Sequence, residues 1–260
     1  MSADIGWAGM AISLVLVVVA IVLSWWRRLS LERSLAWSAT RALAQLLAVG
    51  AVLDLILEPG TSLGWAWLWV VGMVGVAAAV VAWRSRGVPG IVGLALAAFA
   101  AAVSVSLGVL FGLGIFELES RTLIPLAGLT IGNSMAATIL VAGRVYEELR
   151  DKRDEVEARL ALGQPSNDAA RPYLRAALRT ALVPQIEQTK AVGLVALPGA
   201  MTGLLLAGVE PLDAVRVQAA VMFLVLGAVA TTTVVVGLGV TKRLFTPDHR
   251  LVALDRPAEG

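Results

Sequence analysis

The sequence predicts an all-α, polytopic membrane protein with about seven transmembrane helices, its N-terminus outside and its C-terminus cytoplasmic. Three observations carry this reading. The 260 residues are 58% hydrophobic and only 15% charged, where a soluble domain carries about 25% charged residues. The mean hydropathy is +0.82. Apolar runs of about 20 residues, the length a helix needs to cross the hydrocarbon of a bilayer, recur along the chain. A soluble fold of this size needs polar side chains to face water, and a bilayer removes that need.

The apolar runs can be placed in order. They cover about Trp7 to Trp26, Ala36 to Leu57, Trp65 to Trp83, Ile91 to Phe116, Leu123 to Gly143, Leu182 to Gly208 and Val217 to Val240. Trp25, Trp26, Trp65, Trp67 and Trp83 fall at run ends, where an aromatic belt sits at the membrane interface. The first run lacks a basic leader and is followed by Trp-Trp-Arg-Arg rather than by small residues. It therefore reads as an uncleaved anchor and not as a signal peptide.

Charge orders the loops. Arg27, Arg28 and Arg33 follow the first run, and Arg84 and Arg86 follow the third. A dense charged stretch from Arg144 to Arg179 follows the fifth, and Lys242, Arg243, Arg250 and Arg256 follow the seventh. The opposite loops, Glu58 to Gly64, Glu117 to Arg121 and Glu210 to Asp213, are short and acidic. The positive-inside rule fixes the orientation from this alternation. The whole chain, 1–260, reads as a single transmembrane domain with a cytoplasmic segment at about 144–181.

Several function classes are excluded by composition. The absence of Cys removes thiol chemistry and thiolate metal sites. His249 is the only histidine, lies in the charged tail, and reads as a solvated side chain. A net charge of +2 gives no reason to expect a nucleic-acid partner. No Gly-Lys pair occurs, so the chain has no Walker phosphate loop of its own. It also lacks a nucleophile elbow and a zincin motif. The reading is therefore a membrane protein that is not an enzyme and carries no cofactor.

In the charged stretch, acidic and basic residues alternate at spacings that support i,i+4 pairs on a helix extending the fifth span. Gly163 to Asp168 reads as a turn, with Ser166 or Asn167 capping a helix over about Asp168 to Ala181. Pro172 then falls in the first turn of that helix. Arg171, Arg175 and Arg179 form one basic stripe on it. That stripe faces water, lipid headgroups or a partner.

Polar groups inside apolar spans are costly and are candidates for function. Arg41 and Gln45 lie one turn apart in the second run; Arg41 either snorkels to the headgroups or lines a path. Thr130, Asn133 and Ser134 lie in the fifth. Asn133 either bonds across a helix interface or lines a polar path. Glu187 and Lys190 either neutralise each other at i,i+3 or contribute to the path. Gln218 and the Thr231-Thr232-Thr233 triplet lie in the seventh, and the threonines are expected to bond back to their own helix. Pro184, Pro198 and Gly199 interrupt the sixth run. The Pro198-Gly199 pair gives either a packing kink or a broken helix of the kind that marks transport sites.

These residues carry a family likeness. Ile124-Pro-Leu-Ala-Gly-Leu-Thr-Ile-Gly-Asn-Ser-Met135 and the run from Arg175 through Pro184-Gln-Ile-Glu-Gln-Thr-Lys190 to Gly203 resemble core motifs of the FetB/YbbM family of ABC permeases. Leu206 to Gln218 continues the likeness, and Glu32 with Arg41-Ala-Leu-Ala-Gln45 extends it upstream. Glu187 stands where the family usually has Asp, which keeps the charge. Glu157-Ala158 with Gly163 also resembles, in part, the Glu-Ala-Ala-x-x-x-Gly loop by which ABC importer permeases engage their ATPase. Arg159 departs from it.

The resemblance implies a plasma-membrane permease that pairs with a separate cytoplasmic ATPase holding the ATP and magnesium. It implies a permease homodimer and a metal ion such as iron as the exported cargo. It places ATPase coupling at Glu157, Gly163, Arg171, Arg175 and Arg179. The composition leaves two other readings open, an ATP-independent secondary transporter and a seven-span sensor, and it leaves the cargo's ligands unknown.

Overall fold

The structure, a computed structural model, describes residues 7–58, 60–85, 87–194 and 197–252. Arg86 and Arg256 of the charge pattern lie outside the described residues. Among the described residues there are nine α-helices and no strand, only one isolated antiparallel bridge between Phe245 and Leu251. The helices are α1 (Trp7–Trp26), α2 (Glu32–Ile56), α3 (Leu63–Arg84), α4 (Ile91–Gly112), α5 (Ser120–Asp151), α6 (Arg153–Ala161), α7 (Ser166–Ala191), α8 (Gly199–Leu206) and α9 (Pro211–Arg243). Five of them, α2, α3, α4, α5 and α9, are long and apolar enough to cross a membrane. The apolar stretch Ala11–Trp26 of α1 is shorter.

The sixth run departs from expectation. A single span over Leu182 to Gly208, bent at Pro198-Gly199, is not what forms. The first part of that run belongs to α7, which begins in the charged region and ends at Ala191. The chain then leaves the helix, with Val192 extended (φ −64°, ψ 133°) and Gly193 left-handed (φ +87°). A left-handed residue ends a helix at low cost only where there is no Cβ. Helix α8 starts after Pro198 and has eight residues, about 12 Å of rise, too short to span. Nor does Pro184 break α7, which runs through both Pro172 and Pro184. Pro172 lies in the second turn rather than the first, because the helix starts at Ser166.

The chain divides into two compact units. One lies within Met1–Ser62 and takes in Gly203–Val209. Here α1 packs on α2 through a five-residue turn, Arg27 to Leu31. Ser24, 2% exposed, anchors the turn: its hydroxyl donates to Glu32 Oε1 at 2.8 Å and accepts from Leu31 N at 3.2 Å. Arg28 and Ser30 take the left-handed conformation, φ 53° and 57°. Helix α2 has no buried residue, so both Arg41 and Gln45 are exposed.

The other unit comprises Leu63–Thr202 and Glu210–Gly260. Helices α5 and α9 run along each other at its centre; α4 and α7 flank α9, and α3 packs on α4 and α5. Small residues set the close approaches, as they do in membrane bundles where apolar lipid gives helices no hydrophobic reason to associate. Ala95, Ala98 and Ala102 on α4 and Ala169, Ala170, Ala177 and Ala181 on α7 are buried. Gly237 on α9 accepts the side chains of Leu174, Leu178 and Val141. A Cβ there would lie 3.0 Å from Leu178. At Gly239 an added Cβ would overlap Leu94.

The 32 residues of α5 make a rod of about 48 Å, longer than the ~30 Å of hydrocarbon, so one end projects beyond it. Its charged C-terminal turns, Arg144 to Asp151, are that end. A turn ties down its start, where Glu119 N donates to Thr122 Oγ1 at 3.2 Å and that hydroxyl donates to Glu117 O at 2.6 Å.

Candidate functional site

The break between α7 and α8 is the most irregular backbone beside an apolar helix. The first backbone N–H groups of a helix have no partner of their own. At α8 one of them, Met201 N, donates to Gln218 Oε1 at 3.2 Å. Gln218 is 7% exposed on α9, so this single polar side chain inside an apolar helix fixes the start of α8. Thr202 closes the same turn by donating to Pro198 O at 3.2 Å. On the α7 side, Thr189 Oγ1 donates to Gln185 O at 2.8 Å. The end of α7 carries partial negative charge on its last carbonyls, and the start of α8 carries partial positive charge on its N–H groups. The structure thus brings Pro198, Gly199 and Gln218 together, as sequence position alone does not.

Glu187 and Lys190 lie on the last turns of α7 and pair with each other at 2.8 Å, both exposed. Of the two readings open to them, the local ion pair forms. Pro184 is exposed on the same helix.

Helix α5 sorts its polar residues by face. Thr130, Ser134 and Thr138 are fully buried and lie four residues apart on one stripe. Each hydroxyl donates to the carbonyl one turn back: Thr130 to Leu126 O at 2.8 Å, Ser134 to Thr130 O at 2.6 Å, Thr138 to Ser134 O at 2.7 Å. Such back-bonding satisfies a hydroxyl inside a bundle without a partner helix. Asn133 lies on an adjacent, exposed face and donates from Nδ2 to Leu129 O at 2.8 Å. On α9, Thr231 and Thr232 bond back to Gly227 O and Val229 O. The buried Thr233 hydroxyl has no partner among the described residues.

The charged region forms a helical hairpin. As the spacing predicts, Arg144 pairs with Glu147 at 3.0 Å and Glu148 at 3.8 Å, and Arg153 with Glu157 at 2.6 Å. Val156, on the short helix α6, is fully buried. Gly163 turns the chain at φ +85°. Tyr173 on α7 donates from its hydroxyl to Glu155 Oε2 at 2.9 Å, and Lys152 pairs with the same carboxylate at 2.8 Å. Hydrogen bonding to Lys152, then to Tyr173, holds the Glu155 carboxyl below its usual value, and the Glu155 partner raises Lys152. Burial, then the bond to Glu155, raises Tyr173. Arg171, Arg175 and Arg179 are exposed on the face opposite Tyr173, Ala177 and Ala181. None of the three makes an ion pair among the described residues.

One expectation fails here. Neither Ser166 nor Asn167 caps α7; Pro165 occupies that position and makes no side-chain cap. Instead the ring of His249 reaches the helix start, with Nδ1 3.0 Å from Ser166 Oγ and 3.4 Å from Ser166 N. The tail carrying it is folded back by Thr246 N donating to Arg250 O at 2.8 Å and Val252 N to Leu244 O at 2.9 Å. Sequence reading missed Tyr173, Glu155 and His249, because their partners lie 18 and 83 residues away.

A helical bundle with membrane-length apolar helices, small-residue packing and a broken helix defines a polytopic membrane protein. The chain belongs to the uncharacterised protein family UPF0014, whose sequence profile matches residues 7–245. It is 37% identical over 218 residues to the UPF0014 membrane protein STAR2 of Oryza sativa subsp. japonica, covering 84% of this chain and 76% of that one. It is 34% identical to the protein ALUMINUM SENSITIVE 3 of Arabidopsis thaliana, covering 86% and 82%. It is 31% identical to the probable iron export permease protein FetB of Escherichia coli (strain K12), covering 94% and 93%. No solved structure matches the chain.

Proposed function

We propose that this chain is the permease subunit of an ABC transporter of the plasma membrane, moving a metal ion such as iron outward with energy from a separate ATPase. The observation that carries the reading is the similarity to FetB, a probable iron export permease, over 94% of this chain. In this reading ATP and magnesium bind the ATPase, and two permease copies enclose the path. Metal export fits the backbone at the break. The last carbonyls of α7 offer hard oxygen donors, which suit hard cations. Gln218, Glu187, Lys190, Asn133, Thr130 and Ser134 are the side chains proposed along the path. Pro184, Pro198 and Gly199 are the proposed flexing points.

The α6–α7 hairpin is the proposed ATPase contact, with Glu157, Gly163, Arg171, Arg175 and Arg179. Its exposed guanidinium groups, which make no ion pair among the described residues, support this role. The test is copurification. Tagged permease, purified from its own host membranes, is expected to retain an ABC-type ATPase through a salt wash. Recovery of the permease alone, at full yield, would contradict the proposal.

A further inference from the structure

The α1–α2 turn gathers basic and aromatic side chains on one short stretch of the surface. Three guanidinium groups, Arg27, Arg28 and Arg33, are exposed on it within seven residues. None makes an ion pair among the described residues. The one carboxylate in the turn, Glu32, accepts the hydroxyl of the buried Ser24 at 2.8 Å. Apolar and aromatic side chains rim the basic groups: Trp25 is 73% exposed and Trp26 69%, with Leu29 and Leu31 beside them. Arg27 stacks over the Trp26 ring at 5.2 Å. The turn is held in place by Leu29 N donating to Ser24 O at 2.9 Å and Arg28 N to Trp25 O at 3.1 Å. These bonds hold Arg28 and Ser30 in the left-handed region, which side chains other than Gly rarely adopt.

A water-facing turn has no use for two exposed tryptophans, and a hydrocarbon-facing one has no use for three guanidinium groups without a carboxylate partner. Both together match one depth of a bilayer, the headgroup layer, where indole rings settle and phosphates carry negative charge. Guanidinium matches phosphate oxygens in a two-pronged geometry, and a neutral turn would not. We infer that the α1–α2 turn is a binding site for the phosphate of an anionic phospholipid, gripped by Arg27, Arg28 and Arg33 between the Trp25–Trp26 rim and the start of α2. The site is independent of the transport reading.

The experiment uses the full-length protein in neutral detergent micelles, titrated with phosphatidylglycerol, with phosphatidylcholine, or with inorganic phosphate. Melting temperature and native mass spectrometry read the binding. Phosphatidylglycerol is expected to raise the melting temperature and leave bound lipid on the intact protein; the other two additions are not. The R27Q/R28Q/R33Q variant is expected to lose affinity by on the order of 100-fold, from the attraction each basic group has for an anionic surface. The R27K/R28K/R33K variant, which keeps the charge, and R121Q, which removes one from a different loop, guard against misfolding. The lysine variant is expected to bind with an affinity between those of the wild type and the glutamine variant, and R121Q to hold most of the affinity. Equal stabilisation by phosphatidylcholine, an equal effect of free phosphate, or undiminished binding by the glutamine variant would overturn the site.

Discussion

Gln218 sits on α9 where an apolar side chain would suit a membrane helix, and its carboxamide oxygen is committed to the Met201 N–H of α8. Gln218→Leu leaves that half-buried donor without its partner, a loss of about 1 kcal/mol. Gln218→Glu keeps an acceptor. The melting temperature of the purified protein should fall for the leucine variant, with the glutamate variant less affected. Tyr173 and Glu155 allow a second prediction. The folded Glu155 carboxyl is held low, so its contribution is present above the ordinary value of about 4.3. That contribution is lost as pH falls through the lower folded value. Lys152 and Tyr173 are both raised, so theirs are present below about 10 and lost as pH rises through their raised values. The α6–α7 contact should therefore hold between about pH 5 and 10 and loosen on both sides. Amide hydrogen exchange in α6 should accelerate at each end. Tyr173→Phe should remove the tyrosine's share of the alkaline arm and leave that of Lys152, and the acidic arm should weaken but persist through the Lys152–Glu155 pair.

At the scale of helices, α7 shows what sequence pattern reads and what it misses. The basic stripe of Arg171, Arg175 and Arg179 was legible, because spacing four on a helix puts residues on one face. The continuity of α7 through Pro184 was not, because proline is a strong local breaker whose effect neighbouring helices offset. The break fell instead after Ala191, at Gly193, an ordinary glycine in an apolar run until its φ is known. The stripe of Thr130 and Ser134 was legible as polar, yet which face is buried depends on α3 and α9, which sequence does not position. Asn133, three residues from Thr130, ended on the exposed face for the same reason. Packing makes a prediction at this scale too. Gly237→Val forces a side chain into Leu174, Leu178 and Val141. Overpacking of this kind costs about 1–3 kcal/mol, so the variant should lower the melting temperature. Gly227→Val, with open space around it, should not.

Taken whole, the chain announces its solvent in its composition: too few charges for water, enough apolar runs for a bilayer. That much of the fold was legible without a structure. The number of crossing helices was less so, because one apolar run divides between a helix that begins in the charged region and a helix too short to cross. The hairpin of α6 and α7 was legible as charged, while the tail that braces it through His249 was hidden by distance along the chain. If the hairpin is the ATPase contact, Arg175→Glu and Glu157→Lys should each reduce ATPase recovery several-fold at unchanged membrane insertion. Pull-down against the insertion level measures both.

Flux measures the proposed ATP-driven metal export most directly. The permease with its ATPase, reconstituted in liposomes with ferrous iron and ATP on the ATPase side, should accumulate iron inside. That accumulation should stop when the Walker lysine of the ATPase is replaced. Iron movement by the permease alone under an ion gradient, at the same rate with the ATPase inactive, would contradict it.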